Sequence, residues 1–355
     1  MHSARGQPRR RSGWLTLKPG KQAVVFFLAT VVARGLSAVE GTAIMAGVPV
    51  IHASAGASGA TEGMCWIPGG EVWMGSEEFY PEELPVRQVR VEGFWIDSRP
   101  VTVGEFRRFV EDTDYVTVAQ RRPDPADYPG VDSASLVAGS AVFQSTDGPV
   151  PLDSMVWWSY VPGACWHSPE GPGSDVVSRE QHPVTHVAYE DVESYACWAG
   201  RSLPTEAEWE RAARGDLEAA RFAWGDEETP GSRWMANTWQ GQFPWQNLEL
   251  DGYPGTSPVG SFPANGYGLY DVTGNVWEWT CEPGSTMPAS PESSRPCCAP
   301  PEHRAAGGDP RRIIKGGSYL CAPNYCLRYR PAARQAHAVD TSTSHIGFRC
   351  VLRER

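Results

Sequence analysis

The sequence predicts a single α+β domain with an unusually low content of regular secondary structure, and three observations carry that prediction. Fifteen Trp, 37 Gly and 31 Pro stand beside only 21% charged residues, a composition suited to loops packed around aromatic anchors rather than to helical bundles. Strand-like runs are short and punctuated by Gly and Pro. Helical signals are confined to three brief segments.

Taken in chain order, globular-looking sequence begins near Met64. Cys65-Trp66-Ile67, Val72-Trp73-Met74, Val89-Arg90-Val91 and Phe94-Trp95-Ile96 alternate like strands, with Pro68-Gly69-Gly70 and Gly75 between them, and so predict hairpins. Residues 103–112 form a short helix, with Thr102 as N-cap and Phe106, Phe109 and Val110 on one face. A second helix is expected over 190–198. Thr205 and Glu208 make a capping box for a third over 208–214, which Gly215 ends. The remainder is mostly loop, rich in Trp, Asn, Asp and Gly, and loops of that length are usually functional or held by bound ions. Residues 283–310, dense in proline, read as a surface insertion.

The domain is expected over residues 62–355, preceded by an extension over 1–61. That extension carries Arg5, Arg9, Arg10, Arg11, Lys18 and Lys21 ahead of an apolar run that Arg34 ends. The layout resembles a signal peptide, yet the run is shorter than the about 20 residues of a membrane-spanning helix. A disordered extension, with the protein cytoplasmic, is the expectation; export is the alternative. A hydrophobic content of 41% allows a sizeable core. The net charge of −11, with no basic stripe, argues against nucleic-acid binding. Nine cysteines are too few for a disulfide scaffold, and the odd number leaves at least one unpaired within the chain.

Two of those cysteines stand out. In Lys315-Gly316-Gly317-Ser318-Tyr319-Leu320-Cys321-Ala322-Pro323-Asn324-Tyr325-Cys326, a proline-containing loop separates two thiols that it could aim at one point. Two soft thiolates without a hard ligand suit Cu(I) better than zinc, which takes four ligands. Spacing alone leaves a structural disulfide, two unrelated buried cysteines, and copper or redox chemistry all open. Arg328, Arg330 and Arg334 follow the second thiol; nearby cations favour thiolate, although at least one of them is expected to be a buried structural arginine. Ser318 and Tyr325 place hydroxyls beside the thiols. Hard oxygen ligands occur on the longest loops, at Asn237, Asp251, Asp271 and Glu278, in a pattern compatible with calcium.

The run from Lys315 to Cys326, then Arg328-Tyr329-Arg330, Ala332-Ala333-Arg334 and Gly347-Phe348-Arg349-Cys350, resembles the active-site and closing segments of formylglycine-generating enzymes. Further matching stretches include Trp157-Trp158, His182-Pro183-Val184, Leu203-Pro204-Thr205-Glu206-Ala207-Glu208-Trp209-Glu210 and Gly274-Asn275-Val276-Trp277-Glu278-Trp279, and details around Cys165 and Cys298 are similar to actinobacterial members. The resemblance implies the family's irregular, C-type-lectin-like fold and a monomeric, copper-dependent oxidase that uses O2. Its partners would be unfolded sulfatase polypeptides, in which the cysteine of a Cys-x-Pro-x-Arg stretch becomes Cα-formylglycine. It implies that Cys321 and Cys326 hold Cu(I), that Ser318 and Tyr325 position substrate or oxygen, and that Trp277 walls the oxygen pocket, unless Trp277 is simply a core residue. It also implies two structural calcium ions, one at Asn237, Thr238, Asp251 and Tyr253 and one at Asp271, Gly274, Val276 and Glu278. Thr238, Tyr253, Gly274 and Val276 would contribute main-chain oxygens.

The resemblance further implies a supporting disulfide between Cys197 and Cys350, with Cys197 displaced by one position from the family's partner cysteine. A second family bridge is absent, since Ala213 and Pro331 stand in its places. His345 stands where many relatives have Asn. Two other functions compete with the oxidase. One is a non-catalytic peptide-binding module of the same family, which retention of both thiols weakens. The other is an iron-dependent sulfoxide synthase, which needs a His-rich iron site that the sequence lacks.

Overall fold

The first four strands build one long, bent hairpin. The computed structural model describes residues 59–128, 130–284 and 310–354. β1 (Met64–Ile67) and β2 (Gly70–Met74) form one arm, and β3 (Arg87–Val91) and β4 (Phe94–Asp97) the other. β2 pairs with β3 and β1 with β4, in the same register throughout, from Met74↔Arg87 to Met64↔Asp97. The ladder breaks where Gly69 crosses Gly93: a Cβ on Gly69 would lie 2.8 Å from the Gly93 nitrogen, so the crossing requires glycine. The hairpin expectation therefore holds, with one hairpin instead of several. Its tip, residues 75–86, extends away from the ladder.

Three α-helices follow where the capping signals place them. α1 (Val103–Thr113) starts at Thr102, whose hydroxyl accepts from the Glu105 amide, and buries Phe106 and Phe109. α2 (Tyr189–Trp198) packs beside it, and Tyr195 stacks on Phe106 at 5.9 Å. α3 (Glu206–Arg214) has the predicted box: the Thr205 amide donates to Glu208 Oε2 at 2.7 Å, and the Glu208 amide donates to Thr205 Oγ1 at 3.1 Å. Gly215, at φ 58°, ends it in the left-handed conformation.

A four-stranded sheet carries the loop with the two thiols. Its order is β10 (Ile346–Gly347), β7 (Trp277–Pro283), β8 (Arg311–Lys315), β9 (Arg334–Ala338). The connection from β8 to β9 contains Cys321 and Cys326. β11 (Val351–Arg353) returns to pair with β4, closing the domain, and β5 (Gly139–Phe143) pairs with β6 (Trp158–Pro162) in a separate ribbon. Among the described residues no helix is long and apolar enough to cross a membrane. The extension over 1–61 and the proline-rich stretch lie almost wholly outside the described residues, as do Cys297 and Cys298.

With so few ladders, buried ion pairs connect the layers. Lys315, fully buried at the end of β8, donates to Glu210 at 2.9 Å and lies 3.5 Å from Glu206, both on α3. Arg334 on β9 is bidentate to Glu206, and Arg214 pairs with Glu210 at 2.6 Å. These cations hold the Glu210 carboxyl ionised despite burial, at about 2. Arg349 is bidentate to Glu278, at 2.7 and 2.8 Å, and Glu278 also accepts from Trp209 Nε1.

The disulfide expected between Cys197 and Cys350 does not form. Cys197 lies on the solvent face of α2, whereas Cys350 is fully buried with its amide donating to Asp97 Oδ2 at 2.7 Å, and both thiols are free. The one-residue displacement of Cys197 turns its side chain about 100° round the helix, away from the core.

Replacing Glu278 with Gln leaves Arg349 buried without its counter-charge. We expect a loss of about 3–5 kcal/mol in urea unfolding, measured with chelator present. Thr205→Ala, which removes only a helix cap, should cost about 1 kcal/mol. Equal losses would show that the Glu278–Arg349 pair carries no special weight.

Candidate active site

The thiol loop begins with a double glycine because the chain folds back on itself there. A Cβ on Gly316 would lie 2.7 Å from the Val272 carbonyl oxygen, and one on Gly317 2.8 Å from the Tyr329 nitrogen; both glycines have positive φ. The Cys321 amide then donates to the Ser318 carbonyl at 2.9 Å, and the Cys326 amide to the Ala322 carbonyl at 2.8 Å. These two turns bring the sulfurs to 3.1 Å from each other. Both are buried, Cys321 at 2% and Cys326 at 6% exposure, while Pro323 and Asn324 between them face solvent.

The two thiols are electrostatically unequal. Cys326 is pulled down to about 7, chiefly because the Cys321 thiol donates to it, with the Arg328 guanidinium adding to the effect against the cost of burial. Cys321 is pushed well above the ordinary thiol value by burial and then by its charged neighbour. Cys326 is thus the thiol that ionises first, favoured as thiolate by the hydrogen bond from Cys321 and by Arg328. The Ser318 amide donates to Cys321 Sγ at 3.4 Å, and Arg328 Nη1 lies 3.9 Å from Cys326 Sγ. Of the three arginines flagged in the sequence, Arg328 is the one that approaches a thiol of the pair among the described residues. Arg330 is bidentate to Glu83, and Arg334 belongs to the network under β8.

Aromatic side chains enclose the loop. Tyr325 stacks on Phe243 at 4.2 Å and meets the edge of Trp157 at 5.5 Å, and its hydroxyl approaches Met155 Sδ at 3.9 Å. Burial raises its phenol above the usual tyrosine range, so it remains a protonated donor. Ser318 is fully buried, and its Oγ accepts from the Leu320 amide at 3.3 Å. Trp277, 2% exposed, is a core residue in the same cluster as Cys321 and Cys326.

The oxygen ligands divide differently. Asp251 accepts from the Thr238 amide at 3.0 Å and the Tyr253 amide at 3.0 Å, which draws the first predicted set together around one carboxylate. Asn237 Oδ1 is buried beside it without a hydrogen-bond partner among the described residues. An orphaned oxygen near a carboxylate that has no counter-charge suits a hard cation. The Thr238 carbonyl, however, already accepts from Gln240 Nε2. In the second set, burial raises the Asp271 carboxyl to about 6, and its Oδ2 accepts from the Gly260 amide at 2.7 Å. Glu278 is instead committed to Arg349 and Trp209. Gly274 lies against the Asn237 carbonyl, and Val276 is buried, with neither side chain contributing. Among the described residues no three of His, Cys, Asp or Glu are grouped to hold a metal.

Two groups of residues escaped the sequence reading. Asn275, buried at φ 52°, accepts from the Ser257 amide at 3.1 Å and from Asn237 Nδ2 at 3.5 Å, locking the two oxygen-rich loops together. Tyr80 and Glu82, on the hairpin tip, touch Arg328. Their only sequence signal is an aromatic and acidic run, Phe79-Tyr80-Pro81-Glu82-Glu83, far along the chain from the arginines it meets.

Comparison with known proteins places the chain within one family. The model of the sulfatase-modifying factor enzyme 1-like domain matches residues 52–354. The chain is 55% identical to the formylglycine-generating enzyme of Mycobacterium tuberculosis, over 80% of this chain and 96% of that one. It is 46% identical to that of Thermomonospora curvata, over 81% and 93%. Among solved structures, PvdO of Pseudomonas aeruginosa superposes with a TM-score of 0.54 at 23% identity, covering 81% of this chain and 93% of that one, which supports the fold alone.

The unequal thiols give a pH signature. Alkylation of metal-free protein should rise through about pH 7 and label Cys326 first, with Cys321 following only at much higher pH. Peptide mapping after a short pulse of iodoacetamide tests this. Equal labelling of both positions at pH 7 would contradict this order of ionisation.

Proposed function

The chain belongs to the sulfatase-modifying factor family of formylglycine-generating enzymes and oxidises a cysteine of sulfatases to Cα-formylglycine; we propose that it does so through a two-thiolate Cu(I) site at Cys321 and Cys326, with O2 as oxidant. The observation that carries this reading is the convergence of two buried sulfurs at 3.1 Å, one of them ready to ionise near neutral pH. The donor set fits the ion, since both ligands are soft and, among the described residues, no third His, Cys, Asp or Glu joins them. When bound, Cu(I) would supply a soft one-electron centre able to take a substrate thiolate and react with O2.

The chain's own residues do the rest. In the overall change the substrate loses two electrons and two protons, one proton from Cβ and one from the thiol, which take O2 to the peroxide level, and its sulfur leaves as hydrogen sulfide as water adds to the carbon. The Ser318 amide orients Cys321 Sγ, and Arg328 offsets the negative charge that gathers as further thiolate approaches. Tyr325, held protonated, can donate to substrate or oxygen at the rim. The wall of Trp157, Phe243 and Tyr325 keeps bulk water from the sulfurs, while solvent-facing Pro323 and Asn324 leave the loop open to an extended peptide. We take that peptide to be the Cys-x-Pro-x-Arg stretch of an unfolded sulfatase. Asn237 and Asp251, with Asp271 nearby in sequence, would hold structural calcium.

Purified protein supplied with Cu(I), O2 and a Cys-x-Pro-x-Arg peptide should yield an aldehyde, seen by mass change and hydrazine capture. Cys321→Ser and Cys326→Ser should each abolish copper binding and aldehyde formation; turnover surviving in either variant would reduce the pair to a structural role.

Calcium at 100 times its Kd should stabilise the fold by about 2.7 kcal/mol. Asp251→Asn should remove most of that gain in thermal unfolding, and an equal gain in the variant would move the ion elsewhere.

A further inference from the structure

We propose that Tyr80, at the tip of the long hairpin, is a positioning residue for the thiol site: its ring and hydroxyl fix Arg328 and Leu327 so that the guanidinium stays against Cys326 and the two sulfurs stay in register. The proposal concerns the geometry of the pair, and its effect on metal capture rests on the copper reading above. The contacts converge from 247 positions away in sequence. The Leu327 amide donates to the Tyr80 hydroxyl at 3.1 Å. The Arg328 guanidinium lies 3.7 Å from the centre of the Tyr80 ring, and its Nη2 pairs with Glu82 at 2.5 Å. Its Nη1 is the group 3.9 Å from Cys326 Sγ.

An arginine side chain has many rotamers, and without restraint only a fraction of them would place charge beside the sulfur. The ring face, the Glu82 carboxylate and the thiol together leave one. The hydroxyl fixes the backbone immediately after Cys326 at the same time. No regular element does this, because residues 316–333 form no strand or helix.

The neighbouring side chains supply an internal comparison. Phe79 and Glu83 grip Arg330 in the same way, with its guanidinium 3.6 Å from the ring centre and a bidentate carboxylate. The Arg330–Glu83 ion pair is almost fully buried and serves the core. Tyr80 is only half-buried and touches the residue that faces Cys326. The Tyr80 hydroxyl is spent on one backbone amide, and its ring lies 3.7 Å from the Arg328 guanidinium and, more distantly at 5.7 Å, from that of Arg330.

The full chain is used for the test, as wild type, Tyr80→Leu, Tyr80→Phe, Phe79→Leu and Cys321→Ser. Three quantities are read: Cu(I) affinity by competition with a coloured chelator, the Cys321–Cys326 disulfide equilibrium in glutathione buffer, and the melting temperature. Tyr80→Leu should bind Cu(I) roughly tenfold more weakly, the scale of one desolvated cation–π contact, and should form the disulfide less readily, with the melting temperature held. Tyr80→Phe, which keeps the ring, should recover most of the loss. Phe79→Leu should instead lower the melting temperature. If Tyr80→Leu matches wild type in both thiol measurements, or loses them only together with melting temperature as Phe79→Leu does, the proposal is overturned. If wild type itself binds no Cu(I) better than Cys321→Ser, the copper reading fails, and the glutathione equilibrium alone decides the role of Tyr80.

Discussion

Buried arginines paired with glutamates hold this fold together, and most of its other features depend on them. A chain with little helix or sheet has many carbonyls without a ladder partner, and each would be costly to bury. The guanidinium fork, with five donors in one plane, can serve a carboxylate and several carbonyls together. Arg349 does so with Glu278, the Asp97 carbonyl and the Tyr270 carbonyl, tying β7, β4 and an oxygen-rich loop to one point. Arg330 holds Glu83 and the Leu327 carbonyl, and Arg334 holds Glu206 and the Glu82 carbonyl. Elements that never pair as strands are thereby fixed relative to one another.

That arrangement explains which parts of the molecule were legible in its sequence. The helices were readable because a capping box is local: Thr205 and Glu208 lie three residues apart, and Gly215 marks the end with its left-handed backbone. The thiol pair was readable as a pair for the same reason, although spacing alone could not choose between disulfide, metal and unrelated cysteines. Its chemistry came from resemblance, and the unequal ionisation of the sulfurs follows only from their burial, their mutual contact and the approach of Arg328 in the folded chain. What could not be read were contacts between distant positions. Nothing local announces that Tyr80 meets Leu327, or that Arg328 faces a thiol while Arg330 faces Glu83. The disulfide at Cys197 failed for a local reason that resemblance overrode, since one residue on a helix changes the face.

The same logic bears on the oxygen-rich loops. The expectation treated Glu278 as one of several carboxylates available to calcium, because type and order matched. In the structure a carboxylate's role follows from its nearest cation, and Glu278 has Arg349. Asp251 has no such partner and gathers amide donors instead. Asn237 Oδ1, in the residue before the Thr238 amide that Asp251 accepts from, is buried without a hydrogen-bond partner among the described residues.

The thiol loop combines two requirements that oppose each other. Reactive sulfurs need access and a loop able to admit a peptide, whereas two thiols held 3.1 Å apart need a rigid frame. A strand or helix would provide rigidity but would present its side chains at fixed spacing to one face. The double glycine, two short turns and the arginine clamps achieve convergence without a regular element, and they leave Pro323 and Asn324 exposed. The rigidity is imported from the hairpin tip on one side and from the Lys315 network on the other. Stability and reactivity are therefore carried by different neighbours of the same loop: the buried pairs at Arg330, Arg334 and Lys315 hold the frame, and Arg328, buried against half-exposed Tyr80, addresses the sulfur.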